Sequence, residues 1–276
     1  MAYKIENILA CVDSSQYSMT VMKHSAYMAK AFSAKIKALH VIDVLQLEGP
    51  FMYDLSGALG LEPFSNFASK IKDILEEKGK NILTSFKDIT DFYGVELSTK
   101  MEMGVVSSAI IEESKEFDIV FIGRKGINAA YERDILGSNI EPVIRKIDKP
   151  LFIANEHFYT PKNIVVAYDG SSVADSALEY AKMYQDKFGI ELSVVNVGKD
   201  SKAADELFKE LPQKFEKKFI ESEDIPQAIV NFTNEKEMPI MFIGAYSKHR
   251  ILEMILGSTT ETILRKNIDF PLVVVR

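Results

Sequence analysis

The sequence predicts an α/β protein of two tandem doubly wound domains, each an open five-stranded parallel sheet of order 3-2-1-4-5 with helices on both faces. Two observations carry the tandem reading. The run Asn7–Asp13 (Asn-Ile-Leu-Ala-Cys-Val-Asp) lines up with Asn163–Asp169, and the match continues without gaps through Ser15/Ser171, Phe32/Phe188 and Val41/Val197. Further along, Phe121-Ile122-Gly123 returns as Phe242-Ile243-Gly244 and Ile135–Ser138 as Ile255–Ser258, in the same order. Repetition at this period means two copies of one structural unit. The third observation gives the class: each copy alternates short apolar runs with helix-period segments, the pattern of a parallel sheet covered on both faces.

In the first copy, Ile5–Val12 reads as a buried strand, and Ser14-Ser15 can cap the helix that follows. That helix runs to about Phe32, with Val21, Met22, Ala26, Ala29 and Phe32 at helical spacing. Ile36–Val41 is the second strand. A helix is expected over about Phe67–Phe92, a strand over Val95–Met101, a helix over Val105–Lys115 and a very apolar strand over Ile119–Gly123. The last helix starts near Ser138, and Pro150–Ala154 makes the fifth strand. The second copy repeats the order with a shorter middle, between Asp200 and Leu211. The predicted domains are residues 1–155, carrying an insertion at about 43–66, and residues 162–276. The connector Asn155–Pro161 is too short for a disordered linker, so the domains should pack on each other. The insertion, rich in Leu, Phe and Tyr among Gly and Pro, reads as a loop or short helix covering core or interface, or as a flap over a ligand.

Composition bounds the function. The chain has 276 residues, 47% apolar and 26% charged, with a net charge of −7. It has no basic stripe of the kind that nucleic-acid binding needs. No run approaches the length of a membrane span, and Met1–Glu6 lack the apolar core of a signal peptide. The single cysteine, Cys11, lies in an apolar run and reads as a small buried hydrophobe. It allows no disulfide within the chain, which suits a reducing cytoplasm. His24, His40, His157 and His249 show no metal-ligand spacing, and Glu112-Glu113 reads as an exposed helix face.

In a doubly wound sheet of this order, ligands bind in the crevice outside the carboxyl ends of the first and fourth strands. Asp13 ends the first strand and Gly123 the fourth; Asp169 and Gly244 do so in the second copy. Glycines after a strand let backbone approach a ligand closely. Gly137-Ser138 opens a helix whose free N–H groups can hold an anion such as phosphate. A carboxylate at Asp13 suits ribose hydroxyls or an adenine amine. Arg124, Lys125, His249 and Arg250 flank the glycines and could touch phosphate or simply face solvent. Neither a P-loop nor a dinucleotide fingerprint follows the first strand.

With an Asp after the first strand and a close variant of the family's Gly-x2-Gly-x9-Gly-Ser/Thr pattern after the fourth, the chain resembles the universal stress protein family over almost its whole length. The resemblance implies binding of ATP or another adenine nucleotide, usually with Mg²⁺, a part in stress response or regulation, a cytoplasmic place, and dimerisation that often uses the last strand. Carried over, Asp13 contacts adenine or ribose, backbone at Val41 meets the base, and Gly123, Gly126, Gly137 and Ser138 hold phosphates. The matching positions are Asp169, Val197, Gly244, Ser247, Gly257 and Ser258, with Thr259 beside them. Both copies depart from the pattern: ten residues separate Gly126 from Gly137, and Ser247 stands where the second glycine belongs. The regular nine-residue spacing after Ser247 favours the second copy as the better site. The leading expectation is an ATP-binding regulatory protein, at most a weak ATPase because no group is marked to position water. A slow ATP hydrolase, or a dimeric scaffold with decayed sites, are the alternatives.

Overall fold

The computed structural model describes residues 4–44, 64–127, 137, 139–245, 258–266 and 268–276. Most of the insertion, residues 45–63, lies outside them. The first half runs β1 (Asn7–Cys11), α1 (Gln16–Phe32), β2 (Lys35–Asp43), α2 (Phe64–Tyr93), β3 (Leu97–Gly104), α3 (Val106–Ser114), β4 (Ile119–Gly123), α4 (Ile140–Lys146) and β5 (Leu151–Ala154). The second half runs β6 (Asn163–Ala167), α5 (Ser172–Phe188), β7 (Glu191–Gly198), α6 (Ser201–Lys209), β8 (Glu216–Glu221), α7 (Ile225–Asn234), β9 (Pro239–Gly244), α8 (Ser258–Arg265) and β10 (Leu272–Val275). The expected elements are all present, with ends shifted by a few residues.

Each half has the expected order 3-2-1-4-5, but the two sheets are one. The strands form a single ten-stranded sheet, β3-β2-β1-β4-β5-β10-β9-β6-β7-β8. Within a half every pairing is parallel; the halves meet where β10 pairs antiparallel with β5, Val273 opposite Phe152. The sequence gives the reason. Leu-Phe-Ile-Ala in β5 and Leu-Val-Val-Val in β10 are buried throughout, and an apolar edge strand left open would pair with other chains.

The sheet has a core on each face, and each core crosses the junction. On one face α1 and α5 pack over Ile8, Phe121, Phe152, Ile164 and Phe242. On the other, α3, α4, α7 and α8 cover Leu9, Val120, Ile153, Met241 and Val274. Phe121 stacks on Phe152 with centroids 4.4 Å apart, and Tyr27 of α1 stacks on Phe188 of α5 at 4.9 Å across the two halves. Each such side chain taken fully from water contributes ~1.5–3 kcal/mol, so the junction is held as a core is.

Helix starts differ in how they are capped. Ser171 caps α5 by accepting from the Ala174 N–H at 3.3 Å, and Asp224 caps α7 by accepting from the Gln227 N–H at 3.0 Å. Ser15 stands at the same place before α1 but its side chain makes no cap bond; Asp13 Oδ1 accepts there from the Ser15 N–H and the Ser18 hydroxyl. Glu113 also departs from expectation. It is not a solvated helix face but receives Lys37 at 2.9 Å and Lys100 at 2.5 Å. Burial pushes its carboxyl up, yet the two ammonium groups outweigh this and hold it below the usual carboxylate range. Glu112 does face solvent, paired with Lys115.

His24 of α1 is buried against Phe152 and Phe158 at centroid distances of 5.0 and 4.8 Å. Burial pulls its pKa from 6.5 down to about 3. The unfolded chain therefore takes up a proton below about pH 6.5 that the folded protein refuses, and stability is lost as pH falls from 6.5 toward 3. Replacing His24 with Leu should flatten this acid limb in a series of thermal melts; identical slopes in wild type and variant would refute it.

Candidate functional site

β1 and β4 end side by side, paired in parallel with Ile8 opposite Ile119, and the chain leaves both at the same edge of the sheet. A cleft opens there in the first half. It leaves about 150 Å³ open to the centres of water-sized molecules. Asp13, Val41, Gly123, Gly126 and Gly137 all line it, so residues scattered over the sequence meet as the strand order requires. Ser138 lies outside the described residues.

Asp13 is fixed by its own loop. Its Oδ1 accepts from the Ser15 N–H at 2.9 Å and from the Ser18 hydroxyl at 2.8 Å, and its own N–H donates to Ser18 Oγ at 2.7 Å. The second oxygen, Oδ2, faces Gly126; a Cβ there would stand 3.1 Å from it. Gly137 closes on the same loop: its N–H donates to Arg124 O at 3.1 Å, and a Cβ would stand 3.2 Å from Lys125 Cα. The ten-residue spacing thus still brings Gly137 against Gly126. Gly123 has a different reason to be glycine. A Cβ on it would meet Tyr17 Cβ at 2.7 Å, so α1 can pack at the end of β4 only over a bare backbone. Gly244 serves the same end, with Val173 carbonyl atoms 2.6 Å from its missing Cβ.

Val41 contributes backbone. The last bond from β1 to β2 is Val12 N–H to Leu39 O at 2.9 Å. In a strand, residues two apart point the same way, so Val41 presents its N–H and C=O beyond the end of β1, toward the cleft. His40 braces this corner, its Nδ1 2.9 Å from Val12 O. In the second half the pattern repeats: the Tyr168 N–H donates to Val195 O at 2.9 Å, Asn196 Nδ2 donates to Tyr168 O at 2.8 Å, and Val197 takes the place of Val41.

Several cleft residues carried no signal in the sequence. Leu75, Lys78 and Ile82 of α2 and Val106 and Ile110 of α3 line it. Their helical spacing was legible, but not which stripe would overhang the crevice. Lys78 and Lys125 bring two cations to the cleft that Asp13 and Asp43 also line. Cys11 also lines the cleft, and burial, with the charge of Glu113, pushes its thiol well above the ordinary range, so it behaves as an apolar wall. Arg124 corrects an expectation: it touches neither cleft nor solvent. It is 3% exposed, and Nη2 donates to Leu264 O at 2.5 Å and to Lys266 O, in the other half.

In the second half, Asp169 Oδ1 accepts from the Ser171 N–H at 3.0 Å, but Oδ2 has no counterpart of Gly126 to face among the described residues. Ser247, His249, Arg250 and Gly257 lie outside them. Ser258 opens α8, Thr259 is half-buried in its first turn, and Thr260 Oγ1 donates to Gly244 O at 3.0 Å. Leu207 of α6 sits over Gly170, which takes φ +77°; the corresponding Ser14 faces the open cleft in the first half. Among the described residues no group of His, Cys, Asp and Glu is arranged to hold a metal ion, and no helix is long and apolar enough to cross a membrane.

The packing at Gly123 predicts that Gly123→Ala lowers unfolding free energy by ~1–3 kcal/mol through overpacking against Tyr17. Urea denaturation measures it, and an unchanged midpoint would show that α1 yields without cost.

Comparison with known proteins places this geometry. The profile of the universal stress protein family matches residues 4–155. A universal stress protein of Synechocystis sp. is 25% identical over 279 residues, covering 95% of this chain and 97% of its own. One from Methanocaldococcus jannaschii is 31% identical over 153 residues, 55% of this chain and 82% of its own. Among solved structures, a universal stress protein from Archaeoglobus fulgidus covers 98% of both chains at 25% identity, with a TM-score of 0.74. A Pseudomonas aeruginosa protein of unknown function covers 98% of this chain and 92% of its own at 14% identity and a TM-score of 0.66, a likeness of fold alone.

Proposed function

Starting from the fact that this chain belongs to the universal stress protein family, we propose that it is an adenine-nucleotide-binding regulatory protein of stress response, with its site in the first-half cleft. The observation that supports this most is that Asp13, Gly126 and Gly137 line one cleft, with Asp13 Oδ2 turned to Gly126.

The residues present fit such a ligand. Glycines at 126 and 137 leave a cradle that side chains would fill. In this reading the Val41 N–H and C=O pair with the ring nitrogen and amine of adenine, between apolar walls from Ile82 and Ile110. Asp13 Oδ2 accepts from ribose hydroxyls, while Oδ1 stays committed to Ser15 and Ser18. The Gly123, Gly126, Gly137 and Ser138 positions would hold the phosphates, and Lys78 and Lys125 would supply countercharge from the same cleft. Mg²⁺, if bound with the nucleotide, would neutralise phosphate charge; the carboxylate of Asp43 is the cleft group suited to its hydration shell. In the second half, Asp169, Val197, Gly244, Ser247, Gly257, Ser258 and Thr259 would form the corresponding set, with Leu207 over its entry loop. Domain limits at 1–155 and 162–276 follow the same reading, with the protein acting in the cytoplasm. Pairing of two chains would use a surface other than the last strands, which already pair within one chain.

Protein purified without added nucleotide, then denatured and cleared, should release ATP, ADP or AMP in stoichiometric amount on chromatography, or else bind Mg-ATP in calorimetry. Asp13→Ala should weaken that affinity by about tenfold or more, as expected for losing a charge-assisted hydrogen bond. No released nucleotide together with a flat titration would overturn the reading.

A further inference from the structure

Arg124 sits inside the first glycine motif, yet its side chain leaves the cleft for the other half of the molecule. The carbonyls it reaches, Leu264 O and Lys266 O, end α8, the helix that opens at Ser258 of the second motif. Terminal carbonyls of a helix lack intrahelical partners and carry the negative end of its dipole. A guanidinium suits them because its donors are fixed in one plane. Burial pulls the Arg124 pKa down to about 10, against the raising effect of Tyr17 and Asp269, so the charge is kept at neutral pH.

The main chain of Arg124 is tied as well. Its N–H donates to Ala154 O at 2.8 Å, and its carbonyl accepts from the Gly137 N–H at 3.1 Å. One residue therefore joins the end of β5, both ends of the first glycine loop and the last helix of the second half. The opposite crossing exists too: Arg276, after β10, donates to Arg145 O at 2.6 Å, within the last turn of α4. The second half's counterpart of Arg124 is Ala245, whose N–H donates to Val275 O at 2.7 Å but which has no side chain to reach across. Among the described residues, the link from a glycine motif to the opposite helix is thus made by the first motif.

Gly126 and Gly137 have no side chains to set their place; the bonds around them set it. We propose that Arg124 is a positioning residue that couples the two motifs: anchored on α8, it holds the backbone of Gly126 and Gly137 in place beside Asp13, and a ligand in the first cleft in turn steadies α8 and the Ser258 end of the second motif. The inference rests on the nucleotide reading of the first cleft. Reciprocity of coupling requires that whatever the loop gains from α8, α8 gains from the filled loop.

The test uses the full chain with Mg-ATP, calorimetry and amide hydrogen exchange over residues 258–266. Wild type should bind and, at saturation, exchange more slowly over that helix. Arg124→Gln should weaken binding by about tenfold, within the range such couplings span, and lose the exchange response at saturating nucleotide. Arg124→Lys should restore part of both, since its ammonium still donates to a carbonyl. A flat wild-type titration overturns the nucleotide reading and the coupling with it. Binding with unchanged exchange over 258–266 overturns the coupling alone. So does an Arg124→Gln protein that melts earlier but keeps wild-type affinity and exchange response, the mark of a merely structural arginine. Should the Gln variant not fold, the wild-type exchange response and the Lys variant decide.

Discussion

The antiparallel pairing of β5 with β10 is the constraint on which the rest of the molecule depends. Three residue pairs, Leu151–Val274, Phe152–Val273 and Ile153–Leu272, turn two five-stranded sheets into one. The pairing makes both hydrophobic layers continuous and brings α1 against α5 through Tyr27 and Phe188. It also sets α4 beside α8, where Arg265 bridges to Glu141 at 3.0 Å. Because the strands run in opposite directions, the chain leaving each last strand is carried toward the other half. Asn155 accordingly donates to Ile268 O and Phe270 O at 2.8 and 2.6 Å, while its own carbonyl accepts from Thr20. The strand edge through which the family resemblance implies dimerisation is consumed inside one chain.

On this common frame the halves differ in what lies over the crevice. The Val12–His40 corner and the Tyr168–Asn196 corner make the same side-chain bond to backbone with different residues. At the ends of α1 and α5, Ser33 and Gly189 both take positive φ, although only glycine does so without strain. Above the sheet the likeness stops. The first half has the long α2, whose Leu75, Lys78 and Ile82 stand back far enough to leave a cavity. The second has the short α6, whose Leu207 presses on Gly170. The frame answers to strand pairing and tolerates little; the crossover after the second strand is a surface segment and is free to set how open the site is.

How much was legible in the sequence follows the same division. The apolar runs Ile119–Gly123 and Leu272–Val275 could only be buried strands, and the Asn7/Asn163 match fixed the tandem architecture. Strand order then brought Asp13 to Gly123 with no further information, because a parallel sheet puts all its strand ends on one side. What could not be read were contacts between segments without shared periodicity. The merging of the two sheets depends on which edges meet, and a buried Leu-Val-Val-Val run reads alike at an edge or in the middle. Glu112-Glu113 reads as one charged patch, while the helix phase sends one residue to solvent and the other to Lys37 and Lys100.

Arg124 shows why a charged residue inside a ligand motif is ambiguous from sequence. Next to glycines at a strand end, an arginine can serve an anion or a helix C-terminus, since both offer acceptor oxygens and negative potential. Burial decides between them by cost. An arginine taken from water without a carboxylate loses several kcal/mol of solvation, which only hydrogen bonds of good geometry and nearby negative charge can offset. On the junction side the α8 carbonyls supply two bonds, both to Nη2, and Asp269 supplies negative charge, while Nε and Nη1 find no partner among the described residues. On the cleft side Lys125, more exposed and with a flexible stem, can meet a mobile anion while remaining solvated. Two adjacent basic residues thus divide the labour, one fixing the loop to the other half and the other facing the cavity.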